Sequence, residues 1–135
     1  MVLPRLLVID DDAQIRRVFT RTLGRHFYVD SVGDGEEAFA MIDHGAVFDA
    51  ILCDLHLPGT SGHAIYEELL HRSRAMAARF VIITGGVPDA DDAFATMLGE
   101  RYVMKTCGII ELARLLCAVA FPLISSPPVA PFAAA

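Results

Sequence analysis

Five short apolar segments recur along the chain, and each is followed by a segment of helical character. These apolar segments are residues 5–10, 26–32, 48–54, 79–86 and 101–105. Their nearly continuous apolar composition is typical of strands that are buried on both faces, as in a parallel sheet between helices. Five β-α repeats with right-handed crossovers predict a doubly wound α/β fold. We expect a five-stranded parallel sheet with strand order 2-1-3-4-5.

The composition predicts one globular domain over residues 1–121, followed by a short tail. The chain has 135 residues, of which 54% are hydrophobic and 21% are charged, enough to bury a single core. After Phe121 the sequence becomes rich in Pro, Ser and Ala without periodicity. Residues 122–135 are therefore expected to form a Pro/Ala-rich tail or linker.

Charge and hydropathy narrow the classes of partner. The net charge is −6 and the Lys and Arg residues are scattered along the sequence, which argues against a nucleic-acid surface. The longest apolar stretch, residues 112–124, is shorter than the roughly 20 residues that a membrane helix needs. The N-terminus lacks the layout of a secretory signal, and the three cysteines show no CxxC spacing. We therefore expect a cytoplasmic protein that contacts neither membrane nor nucleic acid.

Polar side chains stand where four of the predicted strands end. Asp10 and Asp11 follow the first strand, Asp54 ends the third, Thr84 lies in the fourth and Lys105 ends the fifth. Ligands of open α/β sheets bind outside the carboxyl ends of the strands, so these side chains should converge on one crevice. Clustered carboxylates repel one another unless a divalent cation neutralises them, and Mg²⁺ prefers oxygen ligands. The sequence therefore predicts a magnesium site at this edge.

The same residues suit phosphoryl transfer. An aspartate carboxylate beside the metal can act as a nucleophile toward phosphorus. Mg²⁺ and Lys105 would supply positive charge, and Thr84 would supply a hydroxyl donor, to the phosphoryl oxygens. Every conspicuous polar residue at the edge then has a role.

The segments "VIDDD", "ILCDLHLPGTSG", "FVIITGG" and "YVMK", in this order and spacing, resemble the receiver (phosphoacceptor) domain of two-component response regulators. The resemblance runs from about residue 5 to residue 121 and implies the flavodoxin-like receiver fold. It also implies a protein that is not an enzyme in the usual sense, because it catalyses only its own phosphorylation and dephosphorylation. The "TGG" segment and the Pro-rich end are similar to receivers attached to hybrid sensor kinases.

The resemblance implies a role for each matching residue. Asp54 would be the phosphoacceptor, and Thr84 and Lys105 would contact the phosphoryl group. Asp10, Asp11, Asp54 and the main-chain carbonyl of His56 would hold Mg²⁺ (or Mn²⁺). Tyr102 falls where the family has a switch aromatic that responds to Thr84. Asp12 matches a position that is often acidic but is not a ligand, and we expect it to cap the first helix.

The sequence departs from the family at two places. Thr106, followed by Cys107, replaces the proline that usually follows the lysine, often in the cis form. A non-proline cis bond costs about 2.5–4 kcal/mol, so a trans or differently shaped loop is expected. Gly86, two residues past Thr84, has no side chain that could reach an attacking water.

The implied partners are a histidine kinase or a histidine phosphotransfer protein, with a homodimer as a further candidate. Phosphorylation would shift a two-state equilibrium and alter a partner-binding face around the fourth and fifth strands. Two alternatives stay open. A degenerate receiver would bind its partner without phosphorylation. A haloacid-dehalogenase-type phosphatase would use Asp10 as nucleophile and Asp12 as acid/base, although Gln14 departs from that pattern.

Overall fold

The computed structural model describes residues 2–121, so the predicted tail over residues 122–135 lies outside the described residues. A parallel sheet of five strands forms its centre, in the order β2-β1-β3-β6-β7. These strands are β1 (Arg5–Ile9), β2 (Tyr28–Val32), β3 (Ala50–Asp54), β6 (Phe80–Thr84) and β7 (Tyr102–Met104). Strands β4 (His56–Leu57) and β5 (Thr60–Ser61) form a separate hairpin. Because the hairpin takes two numbers, this is the predicted order 2-1-3-4-5, which is confirmed.

Helices cover both faces of the sheet. They are α1 (Ala13–Leu23), α2 (Gly35–Asp43), α3 (Gly62–Arg72), the one-turn α4 (Arg74–Ala77), α5 (Ala93–Leu98) and α6 (Ile109–Ala120). Alternate residues of the inner strands enter two hydrophobic clusters: Val8 packs with α1 and α6, whereas Leu7 packs with α2, α3, α4 and α5. The sheet therefore separates two helical layers. Within residues 2–121 no helix is long and apolar enough to cross a membrane.

Side-chain caps begin the helices where the sequence indicated. The Asp12 carboxylate accepts hydrogen bonds from the N–H groups of Gln14 and Ile15, and Asp34 caps α2 through the N–H of Glu37. Each cap satisfies main-chain donors that have no partner inside the helix. The N-terminus of α1 is thereby fixed beside the carboxyl edge of the sheet, with three residues between the end of β1 and the start of the helix.

Three local details differ from the sequence expectation. The segment after Asp54, whose Pro and Gly residues are typical of a turn, forms the β4–β5 hairpin, and Gly59 adopts the positive φ of 78° that its tight turn requires. The helix between β6 and β7 begins only at Ala93, because the Asp92 side chain accepts from the N–H of Ala95 and caps it there. The short helix α4 was not predicted, and Ser73 caps it through the N–H of Met76.

Candidate functional site

Three carboxylates meet at the carboxyl edge of the sheet. Asp10 follows β1 and Asp54 ends the neighbouring strand β3, and their side chains are 1% and 6% exposed. Asp11 is exposed beside them. One carboxylate oxygen from each of the three residues lies within 4.8 Å of the other two. The predicted convergence of these acids is confirmed as geometry.

Asp10 has one oxygen in a hydrogen bond and one without a partner. Its Oδ1 accepts from the N–H of Asp12 at 2.9 Å, whereas its Oδ2 is buried with no hydrogen-bond partner among residues 2–121. Burial raises the pKa of the Asp10 carboxyl, and the charge of Asp54 raises it further, although the hydrogen bond from Asp12 opposes the shift. A buried, unpartnered oxygen on a carboxylate that lies beside two others fits a hard cation such as Mg²⁺.

Both oxygens of Asp54 are held. Oδ1 accepts from the N–H of His56 at 3.0 Å, and Oδ2 accepts from Nζ of Lys105 at 3.0 Å. Desolvation disfavours the charged form of Lys105. The hydrogen bond with Asp54 and the charges of Asp54, Asp10 and Asp11 outweigh this, so that its pKa is raised overall. The lysine therefore carries a full positive charge directly beside the most central carboxylate.

The hairpin after Asp54 folds back because residue 62 is glycine. The N–H of Gly62 donates to the carbonyl of Leu55 at 2.8 Å. A Cβ at this position would lie 2.8 Å from the carbonyl oxygen of Asp54 and 2.5 Å from Cδ1 of Ile82. In the sequence, Gly62 stands among the turn residues that follow Pro58. Its packing role depends on a tertiary contact with β6, which no local signal shows.

Thr84 ends β6 next to the carboxylates and is 1% exposed. Its hydroxyl oxygen accepts from the N–H of Gly86 at 3.2 Å, a bond that does not use the hydroxyl hydrogen. Its carbonyl accepts from the N–H of Lys105 at 2.7 Å, which ties the ends of β6 and β7 together. The hydroxyl and the ammonium predicted to serve one ligand thus come from adjacent strands.

Tyr102 opens β7 and is only partly buried. Its ring contacts the ring of Phe94 edge-on, with 6.4 Å between centroids. The ring of His63 stacks on the same phenylalanine, with 4.1 Å between centroids. Burial, together with the charge of Asp92, raises the pKa of the Tyr102 hydroxyl. The side chain therefore packs against the end of α5 rather than standing free in solvent.

The loop that departs from the family pattern is continuous with α6. Thr106 is exposed, and the N–H of Cys107 donates to the carbonyl of Met104 at 3.0 Å. The peptide bonds of residues 2–121 are all trans, as expected for a loop without the usual proline. Cys53, the residue before Asp54 in β3, is fully buried, and this burial, together with the charge of Asp54, raises the pKa of its thiol.

Comparison with known proteins assigns the family. The sequence model of the response regulator receiver domain matches residues 6–116. The transcriptional regulatory protein AruR of Pseudomonas aeruginosa is 32% identical over 117 residues, which cover 82% of this chain and 47% of AruR. The transcriptional regulatory protein ResD of Bacillus subtilis is 39% identical over 103 residues, which cover 75% of this chain and 41% of ResD. The chain thus spans less than half the length of these relatives.

Solved structures share the fold. A CheY-like response regulator receiver domain from Methanospirillum hungatei JF-1 superimposes with a TM-score of 0.77 at 23% identity, covering 89% of this chain and 95% of that one. The response regulator TrrA of Thermotoga maritima, in complex with Mg(2+)-BeF, gives a TM-score of 0.75 at 24% identity, covering 87% and 99%. Together with the family match, these likenesses show that the chain belongs to the response regulator receiver domain family.

Proposed function

We propose that Asp54 accepts a phosphoryl group from a histidine kinase or a histidine phosphotransfer protein, in a Mg²⁺-dependent phosphorelay. The observation that carries this proposal is the polarised Asp54 carboxylate, held by Lys105 and the N–H of His56, beside the unpartnered Oδ2 of Asp10. A cation and a phosphoryl group would satisfy both features. The cytoplasm, where such kinases present their phosphohistidine, is the proposed location.

The metal would be held by oxygen ligands that already face one another. Asp10, Asp11 and Asp54 would supply carboxylates within the 4.8 Å cluster, and the main-chain carbonyl of His56 would add a fourth ligand. Mg²⁺ (or Mn²⁺) would neutralise charge on the phosphoryl oxygens. Without it, the Asp10 and Asp54 charges would repel the incoming phosphoryl group.

Phosphoryl transfer to Asp54 needs little covalent chemistry from the rest of the protein. An oxygen of Asp54 forms the new O–P bond while the P–N bond of the donor phosphohistidine breaks, and the bonding pair stays on the imidazole. Lys105, now bonded to Asp54 Oδ2, is placed to follow the negative charge onto the phosphoryl oxygens. The Thr84 hydroxyl would donate a hydrogen bond to one of these oxygens.

The response to phosphorylation would pass through Thr84 and Tyr102. If Thr84 moves toward the phosphoryl group, space opens at the end of β6 and Tyr102 can repack against Phe94, which it already touches. The surface of β7, α5 and the Thr106 loop would change with it. This surface is the proposed partner-binding face, for a homodimer or for another protein.

Intact-protein mass spectrometry after incubation with acetyl phosphate and Mg²⁺ tests the proposal. The wild type should gain one phosphoryl group, and chelation of the metal or Asp54→Asn should abolish the gain. Asp91→Asn changes an exposed aspartate outside the site and serves as the matched control. Tyr102→Leu should still be phosphorylated, but its amide spectrum around β7 should no longer respond.

The remaining outcomes identify the alternatives. Phosphorylation that persists in Asp54→Asn but is lost in Asp10→Asn would indicate the phosphatase-like mechanism. The structure disfavours that mechanism, because the Asp12 carboxylate caps α1 at 2.8 Å from the N–H of Gln14. If neither acetyl phosphate nor a panel of kinases modifies the wild type, the chain is a degenerate receiver that binds its partner without phosphorylation.

A further inference from the structure

The two helical layers carry opposite charge. The layer of α1 and α6, residues 11–27 and 106–121, contains five arginines and three carboxylates. The layer of α2, α3, α4 and α5, residues 33–47, 62–78 and 87–101, contains ten carboxylates and three arginines. Four of the five arginines of the first layer lie close together in sequence, between residues 16 and 25, and α6 adds Arg114.

One row of arginines, along α1 and the turn that follows it, has no ion-pair partner among the described residues. Arg17 and Arg21 lie one turn apart on the same side of α1, Arg25 follows in the turn after the helix ends at Leu23, and all three are exposed. No carboxylate of residues 2–121 comes within ion-pair distance of these three guanidinium groups, whereas Arg5 and Arg79 each have one such partner and Arg72 has two. Like charges at this spacing destabilise a helix. Beside the row, on α6, the Ile110 side chain is 67% exposed.

The opposite face carries a groove with the chemistry that arginine prefers. It lies between α2, the hairpin and α3, has a volume of about 510 Å³, and is rimmed by Asp34, Glu36 and Glu68. Its apolar lining includes Phe39 and Ile65. Carboxylates beside an aromatic face bind a guanidinium well, because arginine both pairs with anions and stacks on rings.

The Phe39 ring already binds one arginine of its own chain. The guanidinium carbon of Arg72 lies 4.3 Å from the centroid of this ring, and Asp43 and Glu68 hold the same guanidinium as ion-pair partners. Phe39 and Glu68 of the groove therefore already bind one guanidinium, by ring stacking and by an ion pair, and a further arginine would bind in the same way.

We propose that the arginine row of α1 docks into the α2–α3 groove of a second copy of this chain. The charges of the two surfaces are complementary, and each surface has an exposed or accessible apolar component. Because the surfaces lie on opposite sides of the sheet, the contact is head-to-tail and leaves a free surface at each end, so that it can continue from copy to copy. A symmetric contact of the arginine row with itself would be repulsive.

Sedimentation velocity of the full chain, without Mg²⁺ or phosphodonor, tests this contact separately from the proposed phosphorylation. The weight-average sedimentation coefficient of the wild type should rise with concentration at low salt and fall as salt is added. Arg25→Glu and Glu36→Lys should each weaken the association roughly fivefold or more, since each replaces attraction by repulsion. Arg74→Glu makes the same charge change on an exposed site outside both surfaces and should associate like the wild type.

The decisive variant combines both reversals in one chain. In Arg25→Glu/Glu36→Lys, residue 25 of one copy and residue 36 of the next again carry opposite charges. The net charge equals that of the wild type, so self-association should return. If the double variant stays as weak as the single variants, or if the wild type is monomeric at all concentrations and salts, the proposal is overturned. Association that survives both single reversals would also overturn it.

Discussion

The inner strands β1 and β3 and the edge strand β7 present their functional side chains in different ways. Asp10 and Asp54, at the ends of β1 and β3, are nearly inaccessible, whereas the Lys105 side chain that follows β7 is 37% exposed. Every residue of β3 is buried, but the three residues of β7 are only partly so. Asp10 and Asp54 are thus fixed by the core, whereas Tyr102 and Lys105 lie where the edge of the sheet can adjust.

Gly62→Ala should give the largest loss of stability, because it changes the tightly packed part of the site next to Asp54. The added Cβ would collide with the Asp54 carbonyl at 2.8 Å and with Ile82 at 2.5 Å, so we expect a loss of about 2–3 kcal/mol in the free energy of unfolding. Gly85→Ala is the matched control on the responsive side, since nothing lies within 4 Å of its Cβ position. Urea denaturation measures both. Equal stabilities of the two variants would contradict the packing role of Gly62.

Val8→Ala and Val103→Ala compare the two regions with one substitution. Val8 of β1 is 1% exposed, and Val103 of β7 is half-buried against the same hydrophobic cluster. The cavity left at Val8 should cost about 2 kcal/mol, because its surroundings cannot collapse, and the change at Val103 should cost less than about 1 kcal/mol. The midpoint of urea unfolding provides the test. A larger loss at Val103 would show that β7 is the better-packed strand.

The part of the molecule that sequence predicted is the part that depends on local pattern. Near-continuous apolar strands and aspartate caps fixed the order of the sheet and the start of α1, and strand ends placed Asp10, Asp54, Thr84 and Lys105 at one edge. The β4–β5 hairpin was missed because its two-residue strands carry no periodicity.

Other features were hidden because they arise only from contacts distant in sequence. The need for glycine at position 62 comes from Ile82 and the Asp54 carbonyl, and the unpartnered oxygen of Asp10 results from burial of this side chain in the folded molecule. The charge difference between the helical layers depends on α2, α3, α4 and α5 lying on one face of the sheet, because their carboxylates come from three separate segments of the sequence.

Asp10→Asn, compared with Asp11→Asn, gives the smallest effect and tests the electrostatics of the fixed half. The pKa of the Asp10 carboxyl is raised by its burial and by Asp54, so in metal-free protein the folded state binds the proton more tightly than the unfolded state. The wild type should therefore gain stability from this group as the pH falls from 7 through the raised pKa. An asparagine keeps the oxygen that accepts from Asp12 and removes the charge. We expect Asp10→Asn to raise the free energy of unfolding by about 1 kcal/mol at pH 7 in chelator.

This gain should shrink as the pH approaches the ordinary aspartate value near 4, because the wild-type carboxyl is then neutral as well. Asp11→Asn, at an exposed position, should change stability by less than about 0.5 kcal/mol at either pH. Urea titrations at pH 7 and pH 4.5 in chelator measure all three proteins, and a Mg²⁺ titration of each should show weaker binding in both variants. A loss of stability in Asp10→Asn at pH 7 would mean that the buried carboxylate is not electrostatically frustrated. Packing alone would then account for the position of Asp10. The argument for a cation at its unpartnered oxygen would no longer hold.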